Sequence, residues 1–238
     1  MKAVILAGGK GTRGKPYTEY FPKAMTPING KPLIDYVVRY LKSFNFIKEI
    51  IIISDYDGLG GQIKNYYGNQ KNIKFVQDSQ SGTGGDLLHI EKELKNESEF
   101  LLWFVDNLCA IDIKKMRDTF KEKNSFACIA TRTKRKEETG FATVKDGIIT
   151  EFKEKPIMKL QLSECLGIYM LGKEIIQKIK KKKQKQVNLS FDILQQLSKE
   201  GKISAHDIGD REWIDAESPM ILERNEKIVT KIIKQMGL

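Results

Sequence analysis

The chain has 238 residues, of which 40% are hydrophobic and 30% charged, a composition that fits a folded globular protein and excludes a disordered one. Three widely separated cysteines exclude a disulfide framework and favour a reducing compartment, and the apolar runs are strand-sized with no signal-peptide pattern, so we expect a cytoplasmic protein without membrane contact. The net charge of +10 suits phosphorylated ligands. Most lysines are scattered, and the one dense run, Lys178–Lys185, has no interleaved aromatic residues, which argues against nucleic acid.

Strands and helices alternate along the first half of the chain. Short apolar runs with little polar alternation are typical of strands buried on both faces of a parallel sheet, and they lie at 2–7, 50–53, 73–77, 100–105 and 126–131. Amphipathic patterns between them predict helices at 32–44, 83–94 and 113–123. This alternation predicts an α/β fold: a Rossmann-like three-layer sandwich with a mostly parallel central sheet.

The pattern changes after about residue 140. Two short strand patterns, 141–144 and 148–152, flank Lys145-Asp146-Gly147, which is typical of a hairpin turn. A strand at 167–171 follows, and then come helices at 173–183, at 190–199 and from 218 onward. We find no internal repeat and no linker, so we predict a single domain, 1–238, that carries a small antiparallel insertion.

The first strand runs into a glycine-rich loop, Gly8-Gly9-Lys10-Gly11-Thr12-Arg13-Gly14. The spacing of its last three glycines matches the dinucleotide-binding fingerprint, which would indicate an NAD-dependent dehydrogenase. That fingerprint must open directly into a helix, but Pro16, Pro22 and Pro27 delay any helix until about Lys31. A P-loop is also excluded, because no Gly-Lys-Ser/Thr sequence is present.

We therefore predict a long ordered loop that binds a polyphosphate. Glycines allow several backbone N–H groups to point at one anion. The loop also supplies cations, of which an arginine offers paired hydrogen bonds and a lysine a compact charge: Lys10, Arg13, Lys15 and Lys23.

Together with Pro16-x-Thr18, Pro22-Lys23-x-Met25-x-Pro27 and Gly30-Lys31-Pro32-Leu33-Ile34, the loop resembles the signature of the sugar-1-phosphate nucleotidylyltransferases. The match is dense over the first 34 residues and recurs at intervals to about residue 219. The resemblance implies Mg²⁺-dependent nucleotidylyl transfer from an NTP to a sugar 1-phosphate, with release of pyrophosphate. It also implies a nucleotide-binding half, 1–135, and a sugar-phosphate-binding half, 136–238. Because the chain ends at Leu238, we expect no C-terminal β-helix domain.

The resemblance assigns roles to individual residues of this chain. Arg13 and Lys23 are the predicted catalytic cations. Asp106, which ends an apolar strand, and Asp215 are the implied Mg²⁺ ligands, and one or two carboxylates suffice beside phosphates. The implied nucleotide-binding residues are Leu6, Ala7, Gly8, Gly9, Gly11, Thr12, Gln77, Gly82 and Thr83. The implied sugar-phosphate-binding residues are Gly140, Glu154, Lys155 and Gly167.

The substrates are less well defined than the reaction. The Gln77 amide can donate and accept at once, as a pyrimidine requires, which favours UTP or dTTP. A guanylyltransferase for mannose or heptose 1-phosphate, a cytidylyltransferase for a non-sugar phosphate and a non-catalytic regulatory relative are the alternatives. Departures from the family pattern at Gly14, Val105, Ala142 and Leu166 leave the sugar open. The expected partners are the two substrates, and a homo-oligomer is compatible with the sequence.

Overall fold

The structure is a computed structural model that describes residues 1–9 and 11–238, so the predicted phosphate-binding cation Lys10 lies outside the described residues. Its strands are β1 (Lys2–Leu6), β2 (Pro27–Ile28), β3 (Lys31–Pro32), β4 (Glu49–Ser54), β5 (Ile73–Gln77), β6 (Glu99–Phe104), β7 (Asn107–Cys109), β8 (Ala127–Lys136), β9 (Phe141–Lys145), β10 (Ile148–Lys153), β11 (Ile157–Gly172), β12 (Ile203–Asp207) and β13 (Trp213–Asp215). Its α-helices are α1 (Leu33–Lys42), α2 (Gly61–Tyr67), α3 (Gly82–His89), α4 (Glu91–Leu94), α5 (Ile113–Glu122), α6 (Glu174–Lys180), α7 (Gln195–Lys199), α8 (Pro219–Arg224) and α9 (Glu226–Gln235).

One seven-stranded sheet forms the middle of the molecule, in the order β12-β8-β11-β6-β1-β4-β5. Of these seven strands, only β11 runs against its neighbours β6 and β8. Side chains of β1 alternate between two apolar clusters: Ala3 and Ile5 pack with α1, α5 and α9, whereas Val4 and Leu6 pack with α3 and α6. The predicted α/β sandwich with a mostly parallel sheet is thus confirmed, because helices cover both faces.

The predicted antiparallel insertion is the hairpin β9–β10, which forms a two-stranded sheet of its own between β8 and β11. Strand β11 begins at Ile157, ten residues before the predicted start, and its first half pairs with the end of β8. That half is mostly exposed, and polar residues interrupt its apolar ones, so it lacks the continuous apolar run that predicted the buried strands. None of the described helices combines the length and apolarity that crossing a membrane requires.

The segment after β1 is an ordered loop in which the described part contains three single-turn 3₁₀-helices and no α-helix before Leu33. The Thr18 hydroxyl donates to the carbonyl of Gly11 at 2.7 Å. Gly11 has φ +56°, and a Cβ there would lie 2.9 Å from the Thr18 methyl group, so this contact requires a glycine. The loop therefore presents Arg13 and Lys23 in fixed turns (Thr12–Gly14 and Lys23–Met25).

Candidate active site

The predicted site residues follow strands that end at one edge of the sheet. Leu6 pairs with Ile53 of β4 and with Phe104 of β6, and Ser54 pairs with Gln77 of β5. The carboxyl ends of β6, β1, β4 and β5 consequently lie side by side, over about 14 Å for three strand spacings. Ligands of open α/β sheets bind at such an edge.

Asp106 and Asp215, which are distant in sequence, are joined by the short ladder between β7 and β13. Asn107 pairs with Asp215, and the N–H of Ala216 donates to the Asp106 carbonyl at 2.6 Å. Lys23 Nζ donates to Oδ2 of Asp106 at 2.7 Å, and Asn107 Nδ2 donates to Oδ1 at 2.9 Å. The ladder therefore places both carboxylates together, and the ion pair brings Lys23, a predicted catalytic cation, to them.

Asp215 is the electrostatically strained member of this pair. Its Oδ1 is buried and has no hydrogen-bond partner among the described residues, although buried polar atoms are rarely left unsatisfied. Burial and then the charge of Asp106 raise the pKa of Asp215 to about 6, while Lys23 lowers it. The pair thus carries more negative charge than its surroundings neutralise, so a cation would stabilise it.

Two hard oxygen donors with an unpaired buried atom fit Mg²⁺. No cluster of three or more His, Cys, Asp or Glu side chains suited to a metal occurs within residues 1–9 and 11–238. A site of only two carboxylates suits Mg²⁺ beside phosphates, since Mg²⁺ keeps water and phosphate oxygens as its other ligands. Asp106 and Asp215 are accordingly the residues that would hold the ion.

In metal-free protein, Asp215→Asn should stabilise the fold at pH 7.5 and lose this advantage near pH 4. The folded state binds the Asp215 proton more tightly than the unfolded state does, because burial and Asp106 raise the pKa to about 6. Wild-type stability therefore falls as pH rises from about 4 through 6. The variant does not lose this stability, because asparagine does not ionise. Thermal unfolding in EDTA at both pH values measures the stability difference between the variant and the wild type. Asp118→Asn, which changes an exposed carboxylate, is the control. A stability difference that does not change with pH would contradict the assignment.

Arg13 lies near the carboxylate pair. Its guanidinium forms an ion pair with Glu217, yet 71% of its side-chain surface is exposed. The charges of Arg13 and Glu217 both act on the pKa of Asp215, Arg13 lowering it and Glu217 raising it. The structure thus brings Arg13, Lys23, Asp106 and Asp215 to one centre.

Asn107 is a positioning residue that the sequence analysis did not single out. Besides donating to Asp106, its side-chain oxygen accepts from the N–H of Gly167 at 3.1 Å and from the Trp213 indole at 2.9 Å. A Cβ on Gly167 would collide with the Asn107 amide. Gly167 therefore belongs to the site by leaving room for Asn107. The sequence feature that could have identified Asn107 is its position as a polar residue directly after Asp106, which follows the apolar strand.

Asn107→Leu should lower the free energy of unfolding by about 2–4 kcal/mol, because it leaves two N–H donors and one carboxylate oxygen without partners. The donors are those of Gly167 and Trp213. Urea unfolding measures the loss, and the exposed Asn96→Leu is the matched control. Equal stability of the two variants would show that this network does not hold the site together.

The predicted nucleotide contacts lie along the other half of the edge. Leu6 and Ala7 are buried, so a ligand can reach only their backbone. A Cβ on Gly8 would collide with the Asp78 carboxylate, whereas Gly9, at φ +109°, faces open space. Gly11 and Thr12 lie in the first turn of the loop. This part of the loop exposes backbone rather than side chains, as anion binding requires.

Three further predicted nucleotide contacts also have structural partners. The Gln77 amide donates to Asp55 Oδ1 at 2.9 Å and accepts from the Tyr56 N–H at 2.8 Å. A base that binds this amide must replace those bonds. The Thr83 hydroxyl accepts from the Leu189 N–H at 2.9 Å, and a Cβ on Gly82 would lie 2.6 Å from the Val187 carbonyl. Segment 187–189, which the sequence analysis did not identify, therefore packs against the Gly82–Thr83 turn.

The predicted sugar-phosphate residues fall into two groups. Gly140, Glu154 and Lys155 lie together at the base of the β9–β10 hairpin, where the Lys155 N–H donates to Thr139 at 3.2 Å. A Cβ on Gly140 would lie 3.0 Å from Glu154 Oε2. Gly167 lies apart from these three, beside Asn107. The structure thus places three of the predicted residues at the base of the hairpin and the fourth, Gly167, near the two carboxylates.

Similarity to known proteins extends over nearly the whole chain. A family model described as "Nucleotidyl transferase" matches residues 2–227. The bifunctional protein GlmU of Methanocaldococcus jannaschii is 30% identical over 98% of this chain and 55% of that protein. The D-glycero-alpha-D-manno-heptose 1-phosphate guanylyltransferase of Campylobacter jejuni is 34% identical over 74% of this chain and 77% of that protein. The UTP–glucose-1-phosphate uridylyltransferase of Synechocystis is 31% identical over 90% of this chain and 60% of that protein.

The chain therefore spans little more than half the length of two of these relatives. Among solved structures, a putative glucose-1-phosphate thymidylyltransferase from Bacillus anthracis has a TM-score of 0.76 at 24% identity, over 96% of this chain and 95% of that one. HddC from Yersinia pseudotuberculosis has a TM-score of 0.70 at 23% identity, over 97% and 98%. These likenesses show a shared fold.

Proposed function

Since the chain belongs to the nucleotidyl transferase family, we propose that it transfers a nucleotidyl group from an NTP to a sugar 1-phosphate. The observation that supports this most directly is the convergence of Lys23, Arg13, Asp106 and Asp215 at the carboxyl edge of the sheet. The heptose and glucose relatives are named for such reactions. One domain would do this, with residues 1–135 binding the nucleotide and 136–238 the sugar phosphate.

In the proposed reaction, an oxygen of the sugar phosphate attacks the α-phosphorus of the NTP. The bond from that phosphorus to the β-phosphate oxygen breaks, and pyrophosphate leaves with the electron pair. The attacking phosphate is already ionised near neutral pH, so no general base is required. The barrier lies in bringing two anions together, and positioning with charge neutralisation lowers it.

Different residues of this chain would position the substrates and neutralise the phosphate charge. Lys23 would bind the α-phosphate, while Arg13 and the backbone N–H groups of the loop would hold the departing pyrophosphate. At the base of the hairpin, Lys155 would bind the sugar 1-phosphate and Glu154 a sugar hydroxyl. Mg²⁺ held by Asp106 and Asp215 would neutralise phosphate charge when bound.

The proposed nucleotide is UTP or dTTP, on the basis of the amide of Gln77. That amide already donates to Asp55 and accepts from the Tyr56 N–H. A bound base would therefore have to replace these two hydrogen bonds. Two of the relatives are named for uridylyl and guanylyl transfer, so the base has to be determined by experiment.

A substrate panel tests the proposal. Each of the common NTPs is combined with glucose, mannose and heptose 1-phosphates and with choline phosphate, and pyrophosphate release is measured with Mg²⁺ and with excess EDTA. We expect release with a sugar 1-phosphate and a pyrimidine NTP, abolished by EDTA. Release with GTP alone would refute the pyrimidine assignment. Nucleotide binding without release from any pair would favour a regulatory protein.

A further inference from the structure

A carboxylate that the proposed reaction does not use lies beside the predicted pyrophosphate site. Glu217 follows Asp215 by two residues and forms an ion pair with Arg13, the cation proposed to hold the departing pyrophosphate. Among residues 1–9 and 11–238, the guanidinium has no second ion-pair partner. A side chain of the protein itself thus occupies the cation that would bind the leaving group.

Glu217 is the more firmly held member of this ion pair. On one side of it, the N–H of Ala216 donates to the Asp106 carbonyl at 2.6 Å, and on the other side Ser218 is the N-cap of α8. The side chain of Glu217 is 22% exposed, whereas that of Arg13 is 71% exposed. Arg13 therefore has the greater freedom to exchange one anionic partner for another.

The charges around this ion pair oppose a bound anion. Three carboxylates are grouped with two cations in the part of the chain that the structure describes: Asp106, Asp215 and Glu217 with Lys23 and Arg13. A polyphosphate that binds the guanidinium of Arg13 meets the carboxylate of Glu217 at the same group. Like charges at such a short distance repel each other, so Glu217 disfavours any anion that binds this arginine.

We propose that Glu217 competes with the polyphosphate for Arg13 and thereby sets how tightly the chain binds NTP and pyrophosphate. This inference rests on the proposed function, because it takes the pyrophosphate group as the ligand of Arg13. On binding, the guanidinium transfers from the carboxylate to phosphate oxygens, with which arginine forms strong paired hydrogen bonds. An exposed ion pair is weak, so the competition lowers the affinity without preventing binding. After the reaction, Glu217 recaptures Arg13 and so favours release of pyrophosphate.

Calorimetric titration of the full chain with inorganic pyrophosphate and Mg²⁺, without an NTP, tests this proposal. Glu217→Gln keeps the size of the side chain but removes its negative charge. The variant should bind pyrophosphate about three- to tenfold more tightly, because it loses both the competing ion pair and a like charge. Glu223→Gln removes an exposed carboxylate from α8 and should bind pyrophosphate with the wild-type Kd.

The same substitution in an Arg13→Ala background shows whether the arginine mediates the effect. Without the arginine, the gain from Glu217→Gln should shrink to less than about twofold, because interacting residues give non-additive effects. An equal gain in both backgrounds would overturn the proposal. Unchanged or weaker binding by the single variant Glu217→Gln would also overturn it, since Glu217 would then position Arg13 rather than compete for it. Circular dichroism checks folding, and Glu217→Ala, which should tighten binding in the same way, replaces a variant that does not fold.

The titrations also separate this proposal from the proposed function. If neither the wild type nor any variant binds pyrophosphate, the proposed function fails, and the role of Glu217 fails with it. If the wild type binds pyrophosphate and Arg13→Ala weakens that binding, the assignment of Arg13 holds. Absence of a gain in Glu217→Gln would then contradict the competition alone.

Discussion

Asp106→Asn is expected to lower turnover by about three orders of magnitude or more, because it removes one of the two carboxylates proposed to hold Mg²⁺ and the anionic partner of Lys23. The substitution keeps the shape of the side chain. It also keeps an oxygen that can accept from Asn107. The fold should therefore survive, and pyrophosphate release under saturating substrates measures the loss.

Asp118→Asn is the matched control, since it removes an exposed carboxylate from α5. Circular dichroism and thermal unfolding of Asp106→Asn separate loss of catalysis from loss of structure. The variant should also bind Mn²⁺ more weakly than the wild type. Turnover of a folded Asp106→Asn enzyme at the wild-type rate would remove this carboxylate from the mechanism.

Arg13→Ala should lower kcat by about two to four orders of magnitude. The exposed guanidinium is held by Glu217 beside the carboxylate pair, and a cation that stabilises leaving-group charge acts mainly in the transition state. Arg13→Lys keeps the charge but loses the paired hydrogen bonds, so it should recover only part of the rate. Steady-state kinetics separate kcat from KM.

Arg224→Ala provides the control for removing an exposed arginine, because Arg224 lies in α8. Its kinetic constants should equal those of the wild type. If Arg13→Ala changes KM for the NTP but leaves kcat intact, the arginine contributes only to ground-state binding. Unchanged kcat and KM together would place it outside the site.

The fold was predictable where burial imposes a regular pattern. The strands at 2–7, 50–53 and 100–105 are buried on both faces, so their apolar runs identified the parallel sheet. Two less buried strands escaped prediction, because the first half of β11 and the edge strand β12 contain no continuous apolar run. The helix predicted from residue 218 divides at Asn225 into α8 and α9, a break that needs only one non-helical residue.

The site was predictable in parts that depend on local sequence. Prolines after the glycine loop indicated the absence of an early helix, and the end of an apolar run placed Asp106 at the sheet edge. The position of Asp215 depends on a three-residue ladder, too short for periodicity to reveal, so only the family resemblance implied it. The network around Asn107 joins residues up to 106 positions apart, and such contacts arise only from the tertiary fold.

The central claim is that Asp106 and Asp215 jointly hold a divalent ion beside the glycine loop. A crystal structure with Mg²⁺ and a non-hydrolysable NTP analogue tests it most directly. We expect one ion at about 2.0–2.1 Å from an oxygen of each carboxylate, with the phosphates against the N–H groups of the loop. An ion bound away from either carboxylate, or phosphates bound away from the loop, would contradict the claim.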